Sequence, residues 1–399
     1  MIDRPITVGE MIDLAYGKSL SAENRRSGNV PVYGSNGIVG FHDAAAVVGP
    51  GIIVGRKGSV GALTYSPGPF WPIDTTYYVI NKGCHDWRFL FHFLRTLGLE
   101  GLNSHSAVPG LNREDVYGIP VVPPSRDDEP IIAGVLDEVE RGLSAEASAI
   151  ETTEELKRAT MRELFTRGLR GEAQKETEIG IVPATWTVSR LDLNAEIISS
   201  RMTYTDLDKL HSIAGTADVK VLGIKVGDMN RVGNEVMLGR AALERMLPLT
   251  IAEQRCAPPG IIVFPKRGAA IATNKKRMTA EWSVFDPNVI GVMAKRGLNQ
   301  RFLFQWFQGF DLRTITEPGP TPQLNKKNLE PLLVPVPPTD EEQQEMAEIL
   351  DAIDAKIGLH RQRETLLEEL FRSLLHKLMA NDIRVSDLNL SALATEALA

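Results

Sequence analysis

The chain has 399 residues, 43% hydrophobic and 24% charged, with a net charge of −7; that is ample for buried cores and too long for one ordinary domain. No run of 18 apolar residues occurs, so a membrane-spanning helix is excluded, and Met1-Ile2-Asp3-Arg4 lacks the basic-then-apolar layout of a signal peptide. Two distant cysteines, Cys84 and Cys256, exclude a zinc spacing and a disulfide framework, and a reducing, cytoplasmic setting is expected.

Residues 1–122 carry short β-branched runs such as Gly51-Ile52-Ile53-Val54 between Gly- and Pro-rich loops. They predict a mixed α/β domain closed by a helix near Trp87–Leu97. Pro123-Pro124-Ser125 opens a helical segment, 123–170, with Ser125 as the expected N-cap and Gly168 at its end. Its stripe of Ile132, Leu136, Val139, Leu143, Glu146, Ile150 and Thr153 alternates steps of four and three, a heptad seam. Residues 171–338 predict a second mixed domain, closed by a helix near Gln300–Gly309. Thr339 is the expected N-cap of a second long helix, 339–382, which ends near Asn381-Asp382 and precedes a tail, 383–399. That helix repeats the seam with Met346, Leu350, Ile353, Ile357, His360, Glu364, Leu367, Phe371, Leu374 and Leu378. Each helix is expected to run roughly 60 Å. The seams could pack on their own domains, but two of equal length have a partner in each other, and an interhelical coil is the expectation adopted.

The order repeats internally. Pro123-Pro124-Ser125 and Val135-Leu136-Asp137 match Pro337-Pro338-Thr339 and Ile349-Leu350-Asp351 at an offset of 214. Arg88-Phe89-Leu90-Phe91 and Leu111-Asn112-Arg113 match Arg301-Phe302-Leu303-Phe304 and Leu324-Asn325-Lys326 at 213. Gly51-Ile52-Ile53-Val54 matches Gly260-Ile261-Ile262-Val263 at 209, and Thr7-Val8 pairs weakly with Thr187-Val188 at 180. The second half is therefore expected to hold about 29 extra residues near its start.

Charge follows the same division. Residues 181–339 hold 20 Lys and Arg against 14 Asp and Glu, whereas 126–180 balance at −6 and 340–399 at −7. Such asymmetry bears on a nucleic-acid partner more than the total does. The strongest basic stretch, Arg255 to Arg277, holds Lys266, Arg267, Lys275, Lys276 and Arg277, with Asn274 among them. It reads either as a solvated loop or as donors for phosphates and base edges. Gly55-Arg56-Lys57-Gly58-Ser59-Val60-Gly61, in the corresponding place of the first half, reads either as a tight turn or as a loop whose glycines admit a phosphate. Gly17-Lys18-Ser19 lacks the upstream glycine of a phosphate-binding loop, and Asp286-Pro287-Asn288-Val289 fails as an adenine-methyltransferase signature. His92, on an aromatic helix face, reads as a core residue, and no metal or catalytic arrangement emerges.

These residues resemble the specificity subunit of a type I restriction–modification system. Gln323-Leu324-Asn325, then Pro335-Val336-Pro337-Pro338 and Glu342-Gln343-Gln344, are similar to that family's junction between domain and helix. Glu163-Leu164-Phe165-Thr166-Arg167-Gly168-Leu169 resembles its central helix end, and Thr177-Glu178-Ile179-Gly180, Val182-Pro183 and Trp186 its restart. Tyr33-Gly34-Ser35-Asn36-Gly37, Gly55-Arg56-Lys57-Gly58-Ser59 and Trp71-Pro72-Ile73-Asp74-Thr75-Thr76-Tyr77-Tyr78 resemble one class of recognition domain. The resemblance implies an α+β fold: two mixed α/β target-recognition domains separated by two long helices in an antiparallel coiled coil, with a pseudo-twofold repeat. It also implies that each domain reads half of a split double-stranded DNA target, and that the helices dock two methyltransferase subunits. S-adenosylmethionine and ATP would sit on partners, the latter on an ATP-dependent restriction subunit, and this chain would have no catalysis, metal or membrane. The alternative is a coiled-coil DNA-binding scaffold or regulator. Candidate DNA contacts are Lys18, Tyr33, Ser35, Asn36, Arg56, Lys57, Ser59, Lys266, Arg267, Asn274, Lys275, Lys276 and Arg277. The helix seam is expected to rest on Leu136, Val139, Leu143, Leu350, Ile353, Ile357, Leu367 and Phe371.

Overall fold

The computed structural model describes residues 5–102, 110–198, 200–210, 218–317, 319 and 322–388; the end of the expected tail, 389–399, lies outside them. The chain packs as two units, 1–147 with 362–399, and 148–361. The long helices, Glu129–Arg167 and Asp340–Met379, are continuous across both boundaries, so each unit takes half of each helix into its own packing. The helix ends follow local chemistry. Thr339 Oγ1 accepts from Glu342 N at 3.2 Å, and Gly168 and Asn381 adopt the left-handed conformations that end helices. Ser125 lies in a turn before the first helix, where its carbonyl accepts from Asp128 N. Pro130 sits within that helix's first turn, where its missing N–H is harmless.

In the first unit a four-stranded antiparallel sheet runs in the order Ile12–Tyr16, Thr76–Asn81, Gly51–Gly55, Leu63–Ser66. A second sheet sets Val30–Gly34 between Gly37–His42 and Trp71–Pro72, the last pair parallel. The helix Trp87–Arg95 lays Phe89, Leu90, Phe93 and Leu94 on Ile52 and Val54. The second unit repeats both orders. Ala195–Ile198, Val289–Ala294, Ile262–Pro265 and Arg277–Thr279 form one sheet, extended by Met237–Leu238. Asp218–Ile224 lies between antiparallel Leu243–Pro248 and parallel Trp282–Phe285 in the other.

Strand register corrects two of the offsets read from sequence. Val8 N donates to Ile119 O and Leu191 N to Leu332 O, so the starts correspond at 183 rather than 180. Ile53 pairs with Tyr78, and Val263 with Gly291, which places the central strands at 210 rather than 209. Faces agree: Ile52 and Ile262 both point to the helix-side core, and Ile53 and Val263 to the opposite one. A one-residue slip would swap every side chain between faces, so packing decides between two equally plausible letter matches. The excess before the central strand is accordingly 27 residues rather than 29.

The seam residues face inward, as expected, but their job is divided. Ile132, Leu136, Val139, Phe371 and Leu378 belong to the same core as Phe89 and Phe93, while Met346, Leu350 and Leu164 share one with Phe302 and Phe307. The seam is thus domain core at its ends as well as interhelical contact, which corrects the preference for a coil alone. Ile357 is buried; Leu143, Ile353 and Leu367 are half-buried, and a Cβ on Gly142 would lie 3.3 Å from Leu367 Cδ1, an antiparallel contact within the first unit. In the second unit Lys157 Nζ reaches Asp354 Oδ1 at 2.6 Å and Arg361 Nη2 reaches Glu154 Oε1 at 2.6 Å.

The helix junctions repeat bond for bond. Asp86 and Asn299 cap equivalent helices, each accepting from two backbone N–H groups. Their own N–H groups donate to buried Glu129 Oε2 at 2.9 Å and Gln343 Oε1 at 2.6 Å, on the long helices. Arg88 pairs with Asp137, and Arg301 with Asp351. His92 Nε2 sits 2.8 Å from Asp137 Oδ1, and Gln305 Nε2 donates to Asp351 Oδ1 at 2.6 Å. These bonds, with Glu129 and Gln343 buried at their centre, fix the angle between a recognition domain and its helix, because leaving a buried group unpaired costs about 1–3 kcal/mol.

Candidate nucleic-acid interface

In the first unit the strand Gly51–Gly55 runs into Arg56-Lys57-Gly58-Ser59. Arg56 N donates to Thr75 O at 3.0 Å, and Arg56 O accepts from Leu111 N at 2.9 Å. Gly58 turns the chain at φ +78°, where a side chain would be strained, and a Cβ there would also meet Ser35 Oγ at 3.2 Å. The hairpin tip Ser35-Asn36 therefore lies against this turn. Ser59 braces it through its carbonyl, which would lie 1.9 Å from a Cβ on Gly55. Arg56 donates to Asp74 O at 2.7 Å and lies over Tyr16 at 5.3 Å; Arg113 lies over the same exposed ring at 5.5 Å. Lys18 is anchored by its backbone to Pro72 O and the Trp71 indole, leaving its side chain exposed, as are those of Asn36 and Lys57.

The second unit builds the same turn. Lys266 N donates to Asn288 O at 2.7 Å, Lys266 O accepts from Leu324 N at 2.9 Å, and Gly268 has φ +71°. Thr75 corresponds to Asn288 and Leu111 to Leu324, so Arg56-Lys57-Gly58 corresponds to Lys266-Arg267-Gly268. Two adjacent cations are held at the end of the same strand by the same pair of backbone bonds, with exposed Lys57 matched by exposed Arg267. Lys266 shares a groove with Ser200, Tyr204, Lys225 and Asp286, and Lys225 Nζ stands 4.2 Å from the Tyr204 ring centroid. Sequence reasoning missed Lys225 and Tyr204, which carry no periodic signal. It also missed Arg113, although the repeat sets that residue against another cation, Lys326.

Five candidate contacts require correction or restriction. Tyr33 is 4% exposed and packs edge-on to Phe70 at 5.9 Å, so it is core. Asn274 spends its side chain on the fold: at φ +52° it donates to Phe310 O and accepts from Leu312 N. Lys276 is 2% exposed, donates to Phe310 O at 2.6 Å, and burial pushes its ammonium down to about 8. Arg277 donates to Lys276 O and Met229 O, and burial lowers it also. Lys275, half-buried, donates to Asn230. The triplet 275–277 is no solvated basic loop, because it leads into strand Arg277–Thr279, which pairs with the core strand Ile262–Pro265. Lys18, Ser35, Asn36, Arg56, Lys57, Ser59, Lys266 and Arg267 remain at or beside the two turns.

His92, Asp137 and Glu140 converge closely enough to suggest a metal site. Their carboxylates are already engaged by Arg88 and Arg95, and two guanidiniums leave no place for a cation. Burial opposes ionisation of Asp137, but its bonds to Arg88 and His92 outweigh this and hold it below the usual carboxylate range. The cluster is structural. Cys84 and Cys256 are free, and no helix among the described residues is long and apolar enough to cross a membrane.

Residues 4–155 and 270–369, together more than half of the chain, match the model of the type I restriction modification DNA specificity domain. The Type I restriction enzyme EcoprrI specificity subunit of Escherichia coli is 30% identical over 139 residues, 33% of this chain and 34% of that protein, so the match spans about a third of that relative's length. The Type I restriction enzyme MjaVIII specificity subunit of Methanocaldococcus jannaschii is 22% identical over 321 residues, covering 75% of this chain and 71% of the relative. The crystal structure of a type I restriction-modification S subunit from M. genitalium superposes with a TM-score of 0.63 at 14% identity, covering 94% of this chain and 96% of that one. The fold is therefore shared, and the chain belongs to the type I restriction modification DNA specificity family.

Proposed function

We propose that each unit reads one half of a split double-stranded DNA target, with Lys57 and Arg267 on phosphates and the neighbouring loops on base edges. The observation that carries this reading is the cation–cation–glycine turn recurring at the same place in both units. Cations on phosphates set register and supply affinity, while variable loops beside them supply sequence. The two long helices set the separation of the half-sites and dock two methyltransferase subunits, which bind S-adenosylmethionine; a separate restriction subunit uses ATP. No cofactor is assigned to this chain, and its setting is the cytoplasm. A coiled-coil scaffold or regulator without a methyltransferase is the weaker reading, since family membership favours the first. The test is domain exchange. Replacing residues 1–125 with those of a homologue should change one half of the methylated motif in the host genome, and replacing 181–339 the other. A change in both halves from either exchange overturns the reading.

A further inference from the structure

The two units differ most at one place. In the first, strands Val30–Gly34 and Gly37–His42 are joined by Ser35-Asn36 alone. In the second, the equivalent strands Asp218–Ile224 and Leu243–Pro248 are joined by Lys225–Ala242. Much of the second unit's excess length goes here. A surface loop of this length ordinarily costs entropy to order on binding, but this one is already ordered by two buried side chains. Asp228 accepts Lys225 N at 2.9 Å on one oxygen, and Ala242 N at 2.9 Å and Arg231 Nε at 2.8 Å on the other, so it joins both ends of the loop. Asn234, 0% exposed, donates to Asp228 O at 2.8 Å and Arg240 O at 2.7 Å, and accepts from Gly239 N and Arg240 N. All of its hydrogen-bonding capacity is spent on the loop's own backbone. Met237–Leu238 further pins the loop as the sheet's edge strand. The tip stands outside: Arg231, Val232, the most exposed large apolar side chain of the loop at 76%, and Gly233 at φ +86°; Asn230, Met237 and Arg240 are exposed beside it. The loop begins at Lys225, on the groove that also holds Lys266, so the tip is continuous with the candidate interface.

We propose that Lys225–Ala242 is the element by which the second unit selects its half-site, with Arg231 and Val232 touching base edges and Asp228 and Asn234 acting as positioning residues. The proposal rests on the bipartite DNA reading above. A rigid, pre-ordered loop can discriminate bases where a floppy one would adapt to each. The first unit has no counterpart and must read its half-site with other surfaces.

The test uses the full chain assembled with its modification subunits and duplexes in which each base pair of the methylated motif is changed in turn. The variants are Arg231→Ala with Val232→Gly at the exposed tip, and Asn234→Ala at the buried hub. Discrimination by the parent should be roughly tenfold to hundredfold per base pair. Both variants should reduce it to within about threefold across the second half-site only, leaving the first half-site at the parental level. Because Arg231 also donates to buried Asp228, Val232→Gly alone is measured beside the double variant; it should loosen the second half-site with an unchanged melting temperature, which separates lost reading from lost folding if the other variants misfold. Parental discrimination by the tip variant at the second half-site, or equal loosening at both half-sites, overturns the proposal. A parent that discriminates at neither half-site refutes the bipartite reading and this proposal with it.

Discussion

The sharpest consequence of the paired turns concerns salt. Lys57 and Arg267 are exposed, follow the same backbone clamp and sit in different units, so they are expected to act independently on DNA. Each phosphate neutralised by a cation contributes a slope of about −0.9 to log affinity against log salt. Lys57→Ala and Arg267→Ala should therefore each flatten the slope by about 0.9, and together by about 1.8. Between 50 and 200 mM salt, the double variant should lose about twelvefold less affinity than the parent, whatever the parental slope. The assay is a salt titration of target binding by the assembled complex, with Lys276→Ala alongside. That residue is buried against Phe310 and should leave the slope unchanged although it too removes a cation. A double variant whose slope stays within about 0.3 of the parent would refute the assignment of these turns to phosphates. A slope change for Lys276→Ala equal to that of Arg267→Ala would show that the effect follows net charge rather than position.

Lys276 also makes a pH prediction. Its folded value of about 8 lies below the ordinary 10.5, so between those values the unfolded chain holds the extra proton and stability should rise with pH. The ammonium's burial costs up to about 3 kcal/mol below pH 8, and Lys276→Met should abolish the rise in denaturant titrations between pH 8 and 10.5; an identical curve would refute this. Asp137→Ala leaves buried His92 without its carboxylate and Arg88 with Glu140 alone, and should cost about 2 kcal/mol in urea unfolding, as should Asp351→Ala in the second unit; losses below about 0.5 kcal/mol would show that the junctions are not held this way. Seven residues inserted after Thr153 and after Gly358 keep the heptad phase and lengthen the coil by about 10 Å. The preferred spacer in a methylation library of all spacer lengths should then grow by about three base pairs, and an unchanged preference would mean that the helices do not set the spacing.

Much of this protein was legible in its letters, for physical reasons. Helices are local objects: the four-and-three spacing, the Thr339 cap and the Gly168 stop gave Asp340–Met379 and the end of Glu129–Arg167 closely, although the first helix starts at Glu129, three residues later than a Ser125 cap implies, and Asp86 and Asn299 cap helices that a run of aromatics had marked. The repeat was legible as well, because the same junction chemistry, Arg88 with Asp137 and Arg301 with Asp351, recurs at nearly constant spacing. Register was not. The letters Gly-Ile-Ile-Val align best one residue away from where the sheet puts them, and only the cores on either face of Ile52 and Ile53 decide. For the same reason, the recurring pair Arg56-Lys57 and Lys266-Arg267 became visible as one feature only after pairing with Thr75 and Asn288 was known. Charge alone likewise could not separate Arg267 from Lys276: one stands in solvent beside a glycine turn, and the other lies under Phe310. Composition and periodicity, which act along the chain, determined the order of domains and long helices, and local motifs carried the resemblance to the family. Which cations face outward, and which loop Asn234 holds rigid, depend on contacts between residues distant along the chain, and only the tertiary structure decided them.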